Sequence, residues 1–195
     1  MEKVAKKESR KTRYTRTVIR DSLIELMKQR PITDITIKEI CALADISRPT
    51  FYAHYRDQYD MLKNIEDETF AYFETVVFAN NERKLSRREI AHLIEDVLQY
   101  IENDSNSVKV LLSENGDIGF QRKIFSRFIA YLQHVMKHYS EKTPDERKIE
   151  YYSVFMVHGI IALVHHWVKS NMNIPKNELA KMLVELIGVT GAVRP

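Results

Sequence analysis

With 195 residues, 44% of them hydrophobic and only five Gly and five Pro, the chain can bury a sizeable core in one or two domains, and long helices are favoured over sheet. A single cysteine, Cys41, excludes an intramolecular disulfide and fits a reducing cytosol, with a small buried packing role expected for it. The net charge of +3 hides an asymmetry, 13 Lys and Arg against 7 Asp and Glu in residues 1–56 and 17 against 20 in residues 57–195, so the positive end is where nucleic acid would be met.

In chain order, residues 1–11 form a basic tail without the apolar segment of a secretory signal; it either lies along phosphates as an arm or is simply solvated. Residues 12–29 predict a helix with Ile19, Leu23, Leu26 and Met27 on one face, ended by Pro31. Thr36 then caps a short second helix. Glu39, three residues on, completes a capping box, and Ile35 and Ile40 make the hydrophobic staple. The device repeats: Ser47 caps a third helix, Pro49 falls in its first turn, and Ile46 staples onto Phe51. Ala44-Asp45-Ile46 between them leaves room for a sharp turn only. Two helices this short need a supporting helix behind them, and the first one supplies it. This is a helix-turn-helix.

The third helix has a polar surface. Arg48 and Thr50 stand nearest its N-terminus, the end that enters a major groove, while Tyr52, His54 and Gln58 sit where polar groups reach phosphates. Phe51 and Tyr55, one turn apart, anchor it inward. An ordinary surface hairpin of helices is the alternative.

Asp57 caps a fourth helix whose apolar face runs through Met61, Leu62, Ile65, Phe73, Val76 and Val77, linking the head to the C-terminal part of the chain. Ser86 and Glu89 form another capping box, opening a helix to about Ile101, and a short helix lies around Val108–Leu112. Residues 118–139 predict a long helix. A capping box at Thr143-Pro144-Asp145-Glu146 opens a helix to about Lys169, and the last helix begins after Pro175 and stops at Gly188. No segment alternates as a strand does. The expectation is an all-α chain of about nine helices, divided at 57/58 into a DNA-binding head (1–57) and a helical effector-binding and dimerisation domain (58–195).

The stretch ITIKEICALADISRPTFYAHYRDQYDML, with its Thr-capped helix, tight turn and Thr-Phe-Tyr-Ala-His-Tyr recognition helix, resembles the DNA-binding signature of the TetR/AcrR family of bacterial transcriptional regulators. The signature covers about a third of the chain. Asp45 stands where the family usually has Gly, and Asp tolerates a left-handed turn. Tyr55 replaces a common Phe. Gln58 replaces a common Lys that meets a phosphate, turning a charged contact into a neutral one. The resemblance and the local reading together name Thr36, Ser47, Arg48, Pro49, Thr50, Tyr52, His54, Arg56 and Gln58 as DNA-contacting residues.

The C-terminal half, with its LLSENGDIGF segment and its GIIALVHHWVKSNMNIPKNELAKML ending, looks most like the subgroup typified by dihydroxyacetone kinase regulators. The resemblance implies a small-molecule effector in the helical core, which Phe73, Tyr100, Phe120, Phe128, Phe155 and His158 can line; plain core packing is the alternative for each. The helix at 145–169 is apolar nearly all round, and residues 176–187 carry Leu179, Met182, Leu183 and Leu186 on a stripe. Either these faces close the monomer core, or they form the two-fold four-helix interface that the resemblance implies for a homodimer on a palindromic operator.

Three function classes remain. The first is a ligand-responsive DNA-binding regulator, released by a small-molecule effector. The second is an adaptor of the same fold acting on a protein partner, with Gln58 in its favour. The third, an enzyme, lacks a nucleophile–base pair and a phosphate-binding loop. His134 with His138, and His158 with His165, have metal-compatible spacing but no third ligand, so no metal or cofactor is expected. The apolar stretch Val154–Val168 is shorter than a ~20-residue membrane span, and a cytoplasmic protein is expected.

Overall fold

The computed structural model describes residues 9–80, 86–139 and 145–189. Helix α1 (Arg10–Met27) begins where Ser9 Oγ accepts from the Thr12 N–H at 3.1 Å, and it buries Ile19, Leu23, Ile24 and Met27. A single 3-10 turn at Ile32–Asp34 leads into α2 (Ile37–Leu43), and α3 (Arg48–Tyr52) comes next. Both caps form as expected. Thr36 Oγ accepts from the Glu39 N–H at 3.3 Å while Glu39 Oε2 accepts from the Thr36 N–H at 2.9 Å, and Ser47 Oγ accepts from the Thr50 N–H at 3.3 Å. Between the helices Asp45 takes the left-handed conformation (φ 50°), and the Ile46 N–H closes the turn on the Cys41 carbonyl at 3.0 Å. Cys41 is buried, and burial pushes its thiol up.

Helix α4 (Gln58–Val76) starts at Asp57, whose Oδ1 accepts from the Asp60 N–H at 2.7 Å. After a second 3-10 turn at Phe78–Asn80 come α5 (Arg87–Asn103), α6 (Ser105–Leu111), α7 (Ile118–Tyr139), α8 (Glu146–Lys169) and α9 (Lys176–Val189). Among the described residues there are nine α-helices and no strand. Two expected ends differ. The α8 cap is Asp145, whose Oδ1 accepts from the Arg147 N–H at 3.0 Å, while Thr143 and Pro144 lie outside the described residues. Helix α9 continues through Gly188 rather than stopping there.

Apolar packing forms two clusters. One joins α1, α2 and α3 to α4 and continues into Val110, Leu111, Phe120 and Ile124. Tyr55, Met61, Leu62 and Ile65 belong to it together, so the core runs unbroken across 57/58. The other gathers α5, α6, α8 and α9 around Trp167, whose indole N–H donates to the Ile174 carbonyl at 2.8 Å.

Polar contacts tie α1 to the body. Arg20 bonds Glu68 of α4 at 2.8 Å, and also Asp104 and Ser107 beside the α5–α6 junction. The Asn115 side-chain amide donates to the Met27 carbonyl at the end of α1, at 3.1 Å. The next residue is Gly116 because the backbone passes too close for any side chain: a Cβ there would lie 2.4 Å from the Leu111 carbonyl oxygen.

Helix α8 is divided. Ile149, Ser153, Met156, Val157, Val164, Trp167 and Val168 are packed, while Tyr151, Val154 and Phe155 are bare, as are Met182 and Leu186 of α9. Among the described residues α8 alone is long and apolar enough to cross a membrane by length and composition.

Phe51 is fully buried at the centre of the first cluster. Phe51→Ala is expected to lower the unfolding free energy by ~3–5 kcal/mol in a denaturant titration, through lost burial and the cavity left behind. A second expectation concerns acid. The Thr36 hydroxyl and then the Arg30 guanidinium hold the Glu39 carboxyl down to about 2. A depressed carboxyl stabilises the fold above its ordinary range, and that contribution is lost as pH falls towards 2. Melting temperatures followed from pH 5 to 2 are therefore expected to fall less steeply in Glu39→Gln than in the unaltered chain.

Candidate nucleic-acid interface

Neighbours on a helix point about 100° apart, and α3 uses this to separate two jobs. Phe51 faces the core with its ring 5.9 Å from that of Tyr55, whereas Tyr52 is 56% exposed. Arg48 and Pro49 are exposed on the same outer side, and Arg48 makes no ion pair among the described residues. The exposed guanidinium on the first residue of α3, a hydroxyl one turn later and the half-buried His54 make a surface of donors. Thr50 shares its hydroxyl with Ser47 at 2.8 Å.

Besides Thr50, four of the expected residues have partners within the chain. The Thr36 hydroxyl donates to Glu39 Oε2 at 2.7 Å, so its proton is committed to the capping box. Ser47 is the α3 cap. Arg56 is held by Asp60, which accepts from the Arg56 backbone N–H at 3.0 Å and from Nη2 at 2.9 Å. The backbone N–H and then the guanidinium hold the Asp60 carboxyl below its ordinary value. Asp60 is missing from the expected set; an Asp in the first turn of α4, four residues after an Arg that precedes the Asp57 cap, is the signal for it. Gln58 turns inward, its side-chain amide donating to the Ile35 carbonyl at 3.3 Å. It ties the first turn of α4 to the entry of α2.

The body holds an aromatic cluster. The Phe73 ring lies 6.1 Å from Tyr100 and 5.4 Å from Phe128, and Phe120 is buried in the same apolar cluster as Phe73. Two unforeseen rings extend it: Tyr72 stacks on Tyr100 at 3.9 Å and Phe78 meets Phe128 at 5.0 Å. The Tyr100 hydroxyl approaches Thr69 Oγ at 3.4 Å, and burial pushes that phenol up. Phe155 and His158, expected in the same lining, lie on the exposed part of α8. Ser153, Met156 and Val157 occupy the packed side of α8, so Phe155 falls outside and is 73% exposed. His158 is also exposed, with Nδ1 2.8 Å from the Val154 carbonyl oxygen and its ring 5.1 Å from Phe125. Among the described residues no group of three or more His, Cys, Asp and Glu is placed to hold a metal, and the His138 side chain lies outside them.

Comparison with known proteins agrees with this geometry. A TetR-type family model, described as a transcriptional regulator C-terminal region, matches residues 88–188. The uncharacterized HTH-type transcriptional regulator YxbF of Bacillus subtilis is 21% identical over 175 residues, which make up 87% of this chain and 43% of that protein. The chain thus spans less than half the length of this curated relative. Among solved structures, a TetR-like transcriptional regulator from Rhodococcus gives a TM-score of 0.66 at 16% identity, covering 91% of this chain and 96% of its own. FadR from Bacillus subtilis, in complex with stearoyl-CoA, gives 0.62 at 16% identity, covering 91% and 99%. The dihydroxyacetone kinase operon activator DhaS gives 0.52 at 14% identity, covering 90% and 94%, so the subgroup suggested by the C-terminal half is among the neighbours. At these identities the structures establish the fold. The head signature precedes the stretch that the family model matches, so two separate parts of the sequence point the same way. The chain belongs to the TetR family of transcriptional regulators, which are DNA-binding proteins and not enzymes.

Proposed function

We propose that this regulator binds a palindromic operator as a homodimer, with residues 1–57 as the reading head, and that a small molecule held in the body, residues 58–195, releases it. The observation that carries the reading is the division of α3: Phe51 wholly inside, Arg48 and Tyr52 outside. A helix anchored on one side and presenting the Arg48 guanidinium and the Tyr52 hydroxyl on the other suits a major groove flanked by phosphates.

The bare sides of α8 and α9 support the dimer. Tyr151, Val154, Phe155, Met182 and Leu186 are exposed, and a Cβ built on Gly159 would have nothing within 4 Å. Open ground of this kind suits the close approach of a second helix, and Phe155 serves there rather than in a pocket. Rings from α4, α5 and α7 supply an apolar site for an effector, and α4 carries its displacement to the head. Acyl-CoA thioesters, held by the FadR neighbour, are the first class to test. DNA as the partner places the protein in the cytoplasm.

The second reading is an adaptor that acts through a protein partner. Gln58 turned to the Ile35 carbonyl and Arg56 paired with Asp60 favour it, because both positions then give less to phosphate. A gel shift with the gene's own upstream DNA separates the two.

Tyr52→Phe is expected to leave the melting temperature unchanged and to weaken operator and scrambled DNA alike, since a phosphate contact carries little sequence information. Arg48→Ala is expected to cost ~1–3 kcal/mol on the operator and to relax base preference at one position per half-site. Binding curves on both DNAs, beside thermal melts, check the pair. If each dimer neutralises ~6–10 phosphates, affinity falls by ~10³–10⁵ between 50 and 200 mM salt. A slope near zero, or a monomer in sedimentation at micromolar concentration, contradicts the proposal.

A further inference from the structure

We propose that Arg20 of α1 is a positioning residue: by clasping Asp104 and Ser107 it fixes the head against the short helix α6, and so sets the separation of the two reading helices on DNA. Its consequence for DNA rests on the operator reading above; the clasp itself does not.

Arg20 reaches three partners from a side chain that is 23% exposed. Its Nη1 donates to Glu68 Oε2 on α4 at 2.8 Å, while Nη2 bonds Asp104 and reaches Ser107 Oγ at 3.3 Å. The partners differ in weight. Glu68 is half exposed and shared, since Arg16, one turn earlier on α1, reaches its Oε1 at 3.4 Å, and an ion pair open to water stabilises little. Asp104 is one-third exposed and Ser107 is buried, so their charge-assisted bonds to Arg20 are less screened. The α6 side of the clasp is the stronger one.

Asp104 gives up a local role for this bond. It stands between α5 and α6 as the N-cap of α6, a position where Asp ordinarily accepts from the first backbone N–H groups of its own helix. Among the described residues its side chain makes no such cap bond, and its carboxylate goes to Arg20 instead. A helix of seven residues without a side-chain cap closes too few hydrogen bonds to order itself. What it packs against must order it, and α1 holds it from both ends. Just beyond the C-terminal end of α6, the Asn115 amide donates to the Met27 carbonyl at 3.1 Å, about two turns along α1 from Arg20.

Helix α6 also joins the two apolar clusters. Val110 and Leu111 belong to the one around Phe51, and Val108 belongs to the one around Trp167, with α8 and α9. The head and the helices proposed to dimerise therefore share α6. Apolar contact is non-directional and would let α1 roll on α6. A planar guanidinium shared between a carboxylate and a buried hydroxyl has direction as well as charge, and it holds α1 at one angle. In a dimer built on α8 and α9, that angle sets the distance between the two copies of α3.

The test compares the unaltered chain with Arg20→Met, Arg20→Lys, Asp104→Asn and the double variant Arg20→Met with Asp104→Asn. Each is titrated against the gene's own upstream DNA and against a duplex cut to one half of its footprint, beside thermal melts and hydrogen exchange. Arg20→Met and Asp104→Asn should each weaken binding to the whole site about tenfold and leave the half-site unchanged. The double variant should lose no more than either single one, because the same bond is removed. Arg20→Lys keeps the charge without the fork, so it should recover only part of the loss. Asn caps a helix as well as Asp does, so Asp104→Asn should keep its melting temperature, and it carries the test if Arg20→Met does not fold. Equal losses on both DNAs would overturn the proposal, as would additive losses or full recovery in Arg20→Lys. If the unaltered chain binds no DNA, the operator reading falls and exchange decides the clasp. Amides of α6 and of the second half of α1 should then quicken together in Asp104→Asn, and unchanged exchange at both would overturn it.

Discussion

A helix of five residues closes too few hydrogen bonds to hold its own shape, so the surface that α3 presents depends on the burial of Phe51. That side chain sits among α1, α2 and the start of α4, fixed at one end by the left-handed turn at Asp45 and at the other by the Asp57 cap. Everything presented outward on α3 is set by this one inward contact. Arg48 and Tyr52 are aimed because Phe51 cannot turn.

The same core makes the head part of a larger body. Met61, Leu62 and Ile65 extend the packing around Phe51 along α4, and Phe73 hands it to the aromatic rings of α5 and α7. The ring cluster and the first three helices are therefore joined by packed side chains. Polar bonds brace the joint from the side, with Arg20 spanning Glu68 and Asp104, and Asn115 holding the end of α1. Glu66 differs from these contacts: it is a carboxyl on the apolar side of α4, and its Oε1 has no hydrogen-bond partner among the described residues.

The features legible in the sequence were local. Thr36 with Glu39, Ser47 with Thr50 and Ser86 with Glu89 are contacts three residues apart, and short-range chemistry decides them. The left-handed Asp45 was readable for the same reason, as was the inward register of Phe51. Contacts set by distant packing were not. Gln58 reaches back 23 residues to the Ile35 carbonyl, a pairing that no spacing rule announces. Helix α8 is apolar on nearly every side, so its own pattern could not say that Phe155 faces outward; only the packing of Met156, Val157 and Trp167 decides that. Gly188 reads as a stop because glycine often comes just after a helix, yet α9 runs on through it.

The central claim is that two copies of α3 read one face of a DNA duplex at a fixed separation. Hydroxyl-radical footprinting of the protein on the gene's upstream DNA tests it most directly. The account predicts two protected patches on the same face of the duplex, centred one helical turn, ~10–10.5 base pairs, or a whole multiple of it apart. A single patch, or two on opposite faces, would contradict it.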